Sequence, residues 1–189
     1  MRHVISALVI NEPGVLAGVA GMFSARGFNI DSLVVGRTED PNLSRMTIVV
    51  SADDNTLDQV RKQLAKLVAV AEVRDFAGTA YIERDLLLIT VTVSAEKRRE
   101  VVDIVELFRG KVVDVSQTSV MIELAGTEDK LEAFIDLMRP YGIEQTARTG
   151  VIAMPRGGTQ TAKATAQSGG STKRVRTLDA PAGVALPPS

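Results

Sequence analysis

Asn11-Glu12-Pro13-Gly14-Val15-Leu16 brings together residue types that can hold a small anion. The apolar run Val4 to Ile10 arrives there, and a helical pattern, Val15 to Arg26, leaves from there. Proline fixes φ, and glycine keeps side-chain bulk away from the first turn. The first N–H groups of a helix have no intrahelical acceptor, and the helix dipole favours negative charge beside them. The chemistry expected is capture of a carboxylate on a small regulatory ligand. The same residues also suit a plain strand-to-helix turn, with Asn11 bonding locally and Pro13-Gly14 shaping the backbone. The pattern alone leaves both readings open.

Groups that could do more than bind are scarce. The one histidine, His3, sits at the start of a strand, where a structural role is expected, and there is no cysteine for a thiolate nucleophile, a metal or a disulfide. No His/Asp/Glu group has metal-ligand spacing. Asp53-Asp54 is better explained as helix capping. No phosphate-binding glycine motif precedes a helix, and Gly18-Val19-Ala20-Gly21 reads as small-residue helix surface open to close approach. These absences argue against independent catalysis. Net charge is −1, from 22 basic and 23 acidic residues, so nothing drives the chain toward nucleic acid or an anionic membrane. Sheet-based RNA binding needs aromatics on central strands. The candidate strands Val4–Ile10 and Arg45–Ser51 carry none. No apolar run approaches the ~20 residues that cross a bilayer. A strand pattern begins within the first few residues, so no leader peptide and a cytoplasmic location are expected.

The elements that must position the corner repeat. Val15, Leu16, Val19, Met22 and Phe23 share a helical stripe that Arg26-Gly27 closes. Strands follow at Asn29–Arg37 and Arg45–Ser51, then a helix with Leu57, Val60, Leu64 and Leu67, then a strand at Val70–Phe76. This order, β-α-β-β-α-β, is the ferredoxin-like arrangement. Gly78 to Arg84 reads as a short link. A second unit then runs from the strand Leu86–Ser94, through a helix ended by Arg109-Gly110, strands at Lys111–Val115 and Ser119–Leu124 and a helix capped by Thr127, to one or two strands between Gly142 and Met154. The expected class is α+β, with tandem ferredoxin-like units at 2–77 and 84–155. Residues 156–189, rich in Gly, Thr, Ala, Ser and Pro, read as a disordered tail with a small basic cluster at Lys173-Arg174-Val175-Arg176. The first strand is apolar on both faces, so it needs cover from a second domain or subunit besides its own helices.

Asn11-x-Pro13-Gly14-x-Leu16, opening the first helix of such a unit, resembles the signature of the ACT domain, an amino-acid-sensing module. Phe23-Ser24-Ala25-Arg26-Gly27-Phe28-Asn29-Ile30-Asp31-Ser32-Leu33, Leu43-Ser44-Arg45-Met46-Thr47-Ile48, Gln63-Leu64-Ala65-Lys66-Leu67-Val68, Phe108-Arg109-Gly110-Lys111-Val112-Val113-Asp114-Val115 and Leu124-Ala125-Gly126-Thr127 narrow this. Together they resemble the small, regulatory subunit of acetolactate (acetohydroxyacid) synthase, over about residues 2 to 157. The resemblance implies an N-terminal ACT domain and a C-terminal ferredoxin-like domain in a non-catalytic chain that carries no cofactor. Its partner would be the large catalytic subunit, which holds thiamine diphosphate, Mg²⁺ and FAD and condenses 2-oxo acids in branched-chain amino-acid synthesis. The small subunit would raise that activity and confer feedback inhibition, usually by valine. It further implies a homodimer through the ACT domain with a branched-chain amino acid at the seam. On the family's pattern the Gly14, Val15 and Leu16 N–H groups hold the effector carboxylate. Asn11 and, from the neighbouring chain, Asn29 orient its polar groups, while Leu16 and Ile30 bound the pocket. An ACT-type sensor serving a transcription regulator is the competing expectation, but no DNA-binding helix-turn-helix accompanies it.

Overall fold

The first sheet is built around β1 (Arg2–Ile10), the strand that ends at the corner. In the computed structural model, which describes residues 1–157 of the chain, it is followed by α1 (Val15–Ser24), β2 (Ser32–Arg37), β3 (Leu43–Ser51), α2 (Asp54–Leu64) and β4 (Val70–Asp75). The strands lie in the order β2-β3-β1-β4, and β1–β3, β1–β4 and β2–β3 are all antiparallel. That is the ferredoxin-like order.

Alternation in the strands and helical spacing in α1 and α2 meet in one core. Ile5, Ala7 and Val9 from β1 and Met46, Ile48 and Val50 from β3 pack against Val19, Met22 and Phe23 of α1 and Leu57, Val60 and Leu64 of α2. Phe23 is buried and stands edge-on to Phe28 at 6.3 Å, so truncating it would cost about 3–5 kcal/mol. Asp53 caps α2 by accepting the Thr56 N–H at 2.7 Å, as its position before the helix implies. His3 is buried in the same sheet, with its Nε2 3.1 Å from the Ala52 carbonyl oxygen.

The second unit repeats the plan with β5 (Tyr81–Thr92), α3 (Arg98–Leu107), β6 (Lys111–Val115), β7 (Ser119–Gly126), α4 (Glu128–Met138), a single 3₁₀ turn and β8 (Ile143–Arg148). Its order is β6-β7-β5-β8, and a last strand, β9 (Ile152–Pro155), pairs with the first four residues of β5. The helix-facing residues Leu87, Ile89, Val91, Val120, Ile122 and Leu124 close over Val101, Val105, Leu131, Phe134 and Met138. So the chain is α+β with tandem ferredoxin-like units, as its pattern implies.

Three local expectations change. Tyr81–Arg84 is strand rather than link, because its hydrogen-bonding partner is β9, some seventy residues away and invisible to local alternation. β2 starts at Ser32 rather than Asn29; just ahead of it the Asn29 amide donates to the Asp31 carboxylate at 2.7 Å, and the Asp31 N–H already reaches Val49 of β3 at 2.9 Å. The two helix ends that looked alike also differ. Gly27 is left-handed at φ 67°, but at the second end Arg109 takes that conformation (φ 56°) and Gly110 serves another purpose. A Cβ on Gly110 would lie 3.1 Å from the Val105 side chain and 3.2 Å from the Glu123 carbonyl oxygen. The expected tail lies outside the described residues except for Arg156 and Gly157; the Arg156 N–H donates to the Ala80 carbonyl at 3.1 Å.

The far face of β1 is covered from within the chain. Val4 and Val49 pack with Phe76, Val151 and Ala153, with Tyr81 partly buried against them. β9 and the loop before it therefore lie across the first sheet. Asp85, 2 % exposed, holds that loop: it accepts from Arg148 Nε at 2.8 Å, the Thr149 hydroxyl at 3.2 Å and the Gly150 N–H at 3.1 Å. Arg2 adds ion pairs to Glu83 at 3.1 Å and Glu128 at 2.6 Å, partly exposed contacts worth about 0–1 kcal/mol each.

Candidate effector-binding site

The corner is an open helix start. Gly14 is the N-cap of α1 at φ 85°, ψ −16°, and no side chain caps the helix. A non-glycine residue in that conformation is strained, although a Cβ there would meet nothing within 4 Å. The Val15 N–H reaches back to the Glu12 carbonyl at a long 3.4 Å, and Gly18 N–H makes the first helical bond, to Gly14, at 2.9 Å. The N–H groups of Gly14, Leu16 and Ala17 have no acceptor among the described residues. α1 contains no charged residue, so nothing on the helix itself opposes the dipole at its start. An anion in such a place is stabilised by ~0.3–1 kcal/mol, or up to ~2 where partly buried.

Asn11 is both a turn residue and a presented amide. Its Nδ2 donates to the Pro41 carbonyl at 3.0 Å, its Oδ1 accepts from the Ser44 hydroxyl at 3.2 Å, and its backbone N–H donates to Asn42 at 2.7 Å. An asparagine amide has two donor hydrogens and two acceptor lone pairs. One of each stays available, held in a fixed plane. The two sequence readings of the corner are therefore compatible. The partners of Asn11 come from β3 and the loop before it, some thirty residues on, beyond the reach of local sequence pattern.

Asn29 and Ile30 are not beside this corner in the same chain. The Asp31 N–H donates to Val49 at 2.9 Å, and Ser32 stands opposite Val49, which in turn stands opposite Val4. Ile10 stands opposite Leu43 at the other end of β3. Six residues of strand separate the two places, roughly 20 Å. Asn29 is exposed with its Oδ1 unpartnered among the described residues, and Ile30 is half-buried against the core. Leu16, 47 % exposed, stands out from α1, while Val15 packs inward.

The corner at Asn11–Leu16 and the pair Asn29 and Ile30 therefore lie apart on the surface of one chain. Neither place lines the two hollows found among the described residues. A groove of about 640 Å³ lies elsewhere, between α2 and the edge of β4, and includes Lys62, Gln63, Lys66, Leu67 and Glu72. A smaller hollow of about 260 Å³ lies beside Phe76 and Tyr81. Among the described residues no group of three or more His, Asp or Glu could hold a metal ion, and no helix is long and apolar enough to cross a membrane.

Comparisons with known proteins agree on one family. Residues 5–72 match the description "AHAS small subunit-like ACT domain", and residues 84–157 match "Small subunit of acetolactate synthase". The chain is 55 % identical to the "Probable acetolactate synthase small subunit" of Archaeoglobus fulgidus over 157 residues, covering 83 % of this chain and 98 % of the relative. It is 48 % identical to the acetolactate synthase small subunit of Mycolicibacterium smegmatis over 155 residues, covering 82 % of this chain and 91 % of the relative. The crystal structure of the acetolactate synthase small subunit from Thermotoga maritima superposes with a TM-score of 0.76 at 44 % identity, over 82 % of this chain and 98 % of that one.

Proposed function

Since the chain belongs to the acetolactate synthase small-subunit family, we propose that it activates a separate large catalytic subunit and makes it sensitive to feedback inhibition by valine or another branched-chain amino acid. The observation that carries the effector site is the cluster of free N–H groups at Gly14, Leu16 and Ala17, beside an Asn11 amide held in place by Pro41 and Ser44. An amino-acid carboxylate accepts from the former, and the amide's spare donor and lone pair address the ligand's polar groups.

The other half of the site comes from a second copy. β2 is an edge strand, with Val35, Gly36 and Arg37 exposed. Beside it α1 offers an uncharged outer surface that includes Leu16, Ala17, Gly18 and Gly21. Two such edges paired antiparallel about a two-fold axis set the end of one β2 against the start of the other. Arg37 stands opposite Ser44, the residue that holds Asn11. The start of the partner's β2, with its Asn29 and Ile30 just ahead, then falls near the Asn11–Gly14 corner. This geometry explains why neither half-site is enclosed in one chain.

A ligand at that seam acts only by favouring one arrangement of the assembly over another. Condensation of 2-oxo acids, with thiamine diphosphate, Mg²⁺ and FAD, belongs to the catalytic subunit, and the setting is the cytoplasm. Discrimination among valine, leucine and isoleucine is modest, because one methylene is worth ~1–3 kcal/mol. The test is to combine the chain with its cognate large subunit and titrate the three amino acids, with and without Gly14→Asp. That substitution puts a fixed carboxylate at the anion position. Valine inhibition should vanish while activation persists; full valine sensitivity in the variant would refute the site.

A further inference from the structure

The β5–β9 ribbon has two unlike faces. Its inner face, through Tyr81 and Ala153, closes the first sheet. On its outer face Ile82 stands directly opposite Met154, and Arg84 opposite Ile152, so the four side chains share one surface. Ile82, Ile152 and Met154 are 41, 54 and 63 % exposed.

Arg84 also belongs to a cationic group at the end of β7. The Lys130 ammonium, from the first turns of α4, donates to the Ala125 carbonyl at 3.1 Å. Its stem lies so close to Gly126 that a Cβ there would come within 2.6 Å of it. Gly126 stands opposite Asp85, the neighbour of Arg84. Gly110, the neighbour of Arg109, packs against Glu123 and Leu124 of the same strand. Burial, and then the charges of Arg109 and Arg84, push the Lys130 ammonium below its ordinary pKa. Among the described residues none of the three cations makes an ion pair. Arg109 is also the only non-glycine residue described with positive φ, a conformation kept where the surroundings enforce it and often found at functional places.

We propose that this outer ribbon face, flanked by Arg84, Arg109 and Lys130, docks an acidic, partly apolar surface of the catalytic subunit. The inference rests on the reading that such a subunit is the chain's partner. Exposed apolar side chains ringed by charge are the anatomy of a protein interface, and a free small anion would leave Ile82, Ile152 and Met154 unused. A second copy of this chain is a poor occupant, because a two-fold contact would set cation against cation. The chain's own residues 158–189 are equally unsuited, with Lys163, Lys173, Arg174 and Arg176 against a single acid, Asp179. Complementary carboxylates on the catalytic subunit would speed encounter and fix its orientation.

The test uses the full chain and its cognate large subunit, with affinity measured at low and physiological salt. Arg84→Glu combined with Arg109→Glu should weaken the complex at least tenfold and flatten its salt dependence. Met154→Ser should weaken it several-fold with the salt dependence kept. Valine binding by the small subunit alone should be unchanged in both, which also shows that the variants are folded. Wild-type affinity and salt dependence in both variants would overturn the proposal while leaving the regulatory reading standing. A wild-type chain that binds no large subunit would end both. Tight binding of an oligonucleotide, lost in the charge variant while the subunit affinity stays, would also overturn it.

Discussion

The Val151 N–H donates to the Ser32 hydroxyl at 3.2 Å, across 119 residues of chain. Ser32 opens β2, two residues after Ile30. Gly150, at φ 84°, lies so close that a Cβ would stand 2.7 Å from Ser32 Oγ and 2.8 Å from Val34 Cγ2. The second unit thus touches the first at a point two residues from Ile30.

Gly150→Ala should therefore be costly. It adds a Cβ in the left-handed region, ~1–2 kcal/mol, and crowds two side chains of β2, ~1–3 kcal/mol. A loss of about 2–5 kcal/mol in denaturant unfolding is expected, with a weakened valine response. Gly14→Ala shares the backbone strain but meets open space. It should cost only about 1–2 kcal/mol.

Asn11→Ala and Asn29→Ala separately should each abolish valine inhibition. Asn11→Ala also loses two side-chain bonds, so about 1–2 kcal/mol of stability goes with it. An equal mixture of the two variants, unfolded and refolded together, should regain about a quarter of the intact sites, because half the dimers are mixed and each mixed dimer has one whole seam. Calorimetric titration of valine counts those sites. No recovery would mean that the site lies within one chain.

Asp85→Ala should detach the loop that carries Gly150. It removes the acceptor shared by Arg148, the Thr149 hydroxyl and the Gly150 N–H. Breaking a buried pair costs ~3–5 kcal/mol, and the lower end, roughly 3, is expected because Arg148 is 28 % exposed and keeps Glu132. Increased amide exchange at Val151 and along β2 would report the detachment.

The α2 cap gives a pH signature. The Thr56 N–H holds the Asp53 carboxyl below its ordinary value of 3.8. A carboxylate so depressed contributes stability that is complete above the unfolded value and is lost as pH falls through the folded one. Asp53→Asn keeps a capping acceptor without the charge. Thermal midpoints of the two proteins should run parallel from pH 7 to about 5, and the wild type should lose more below about pH 4.

Local rules reached most of the architecture. Apolar spacing located α1 through Val19, Met22 and Phe23, and the capping pair Asp53-Asp54 marked the start of α2, where Asp53 proves to be the cap. Distance along the chain hid the rest. Tyr81–Arg84 becomes strand because Ile152–Pro155 returns to pair with it. The free N–H groups at Gly14 were legible because a helix start dictates them. The hold of Pro41 and Ser44 on Asn11 was not, because it depends on β3 arriving beside β1. Arg109 defeated expectation for a steric reason: Gly110 is needed where no side chain fits, which leaves its neighbour to turn the chain.

The cover that β9 gives to Val4 and Val49 also sets an order of events during synthesis. When Asp75 has emerged, the first four strands can pair and enclose their helices, but that second apolar face remains wet. It waits for Val151 and Ala153, which at ~5–20 residues per second arrive roughly 4–15 s later. For that interval the nascent chain displays a sticky sheet face. A ribosome stalled within the second unit would hold the chain in its most aggregation-prone form.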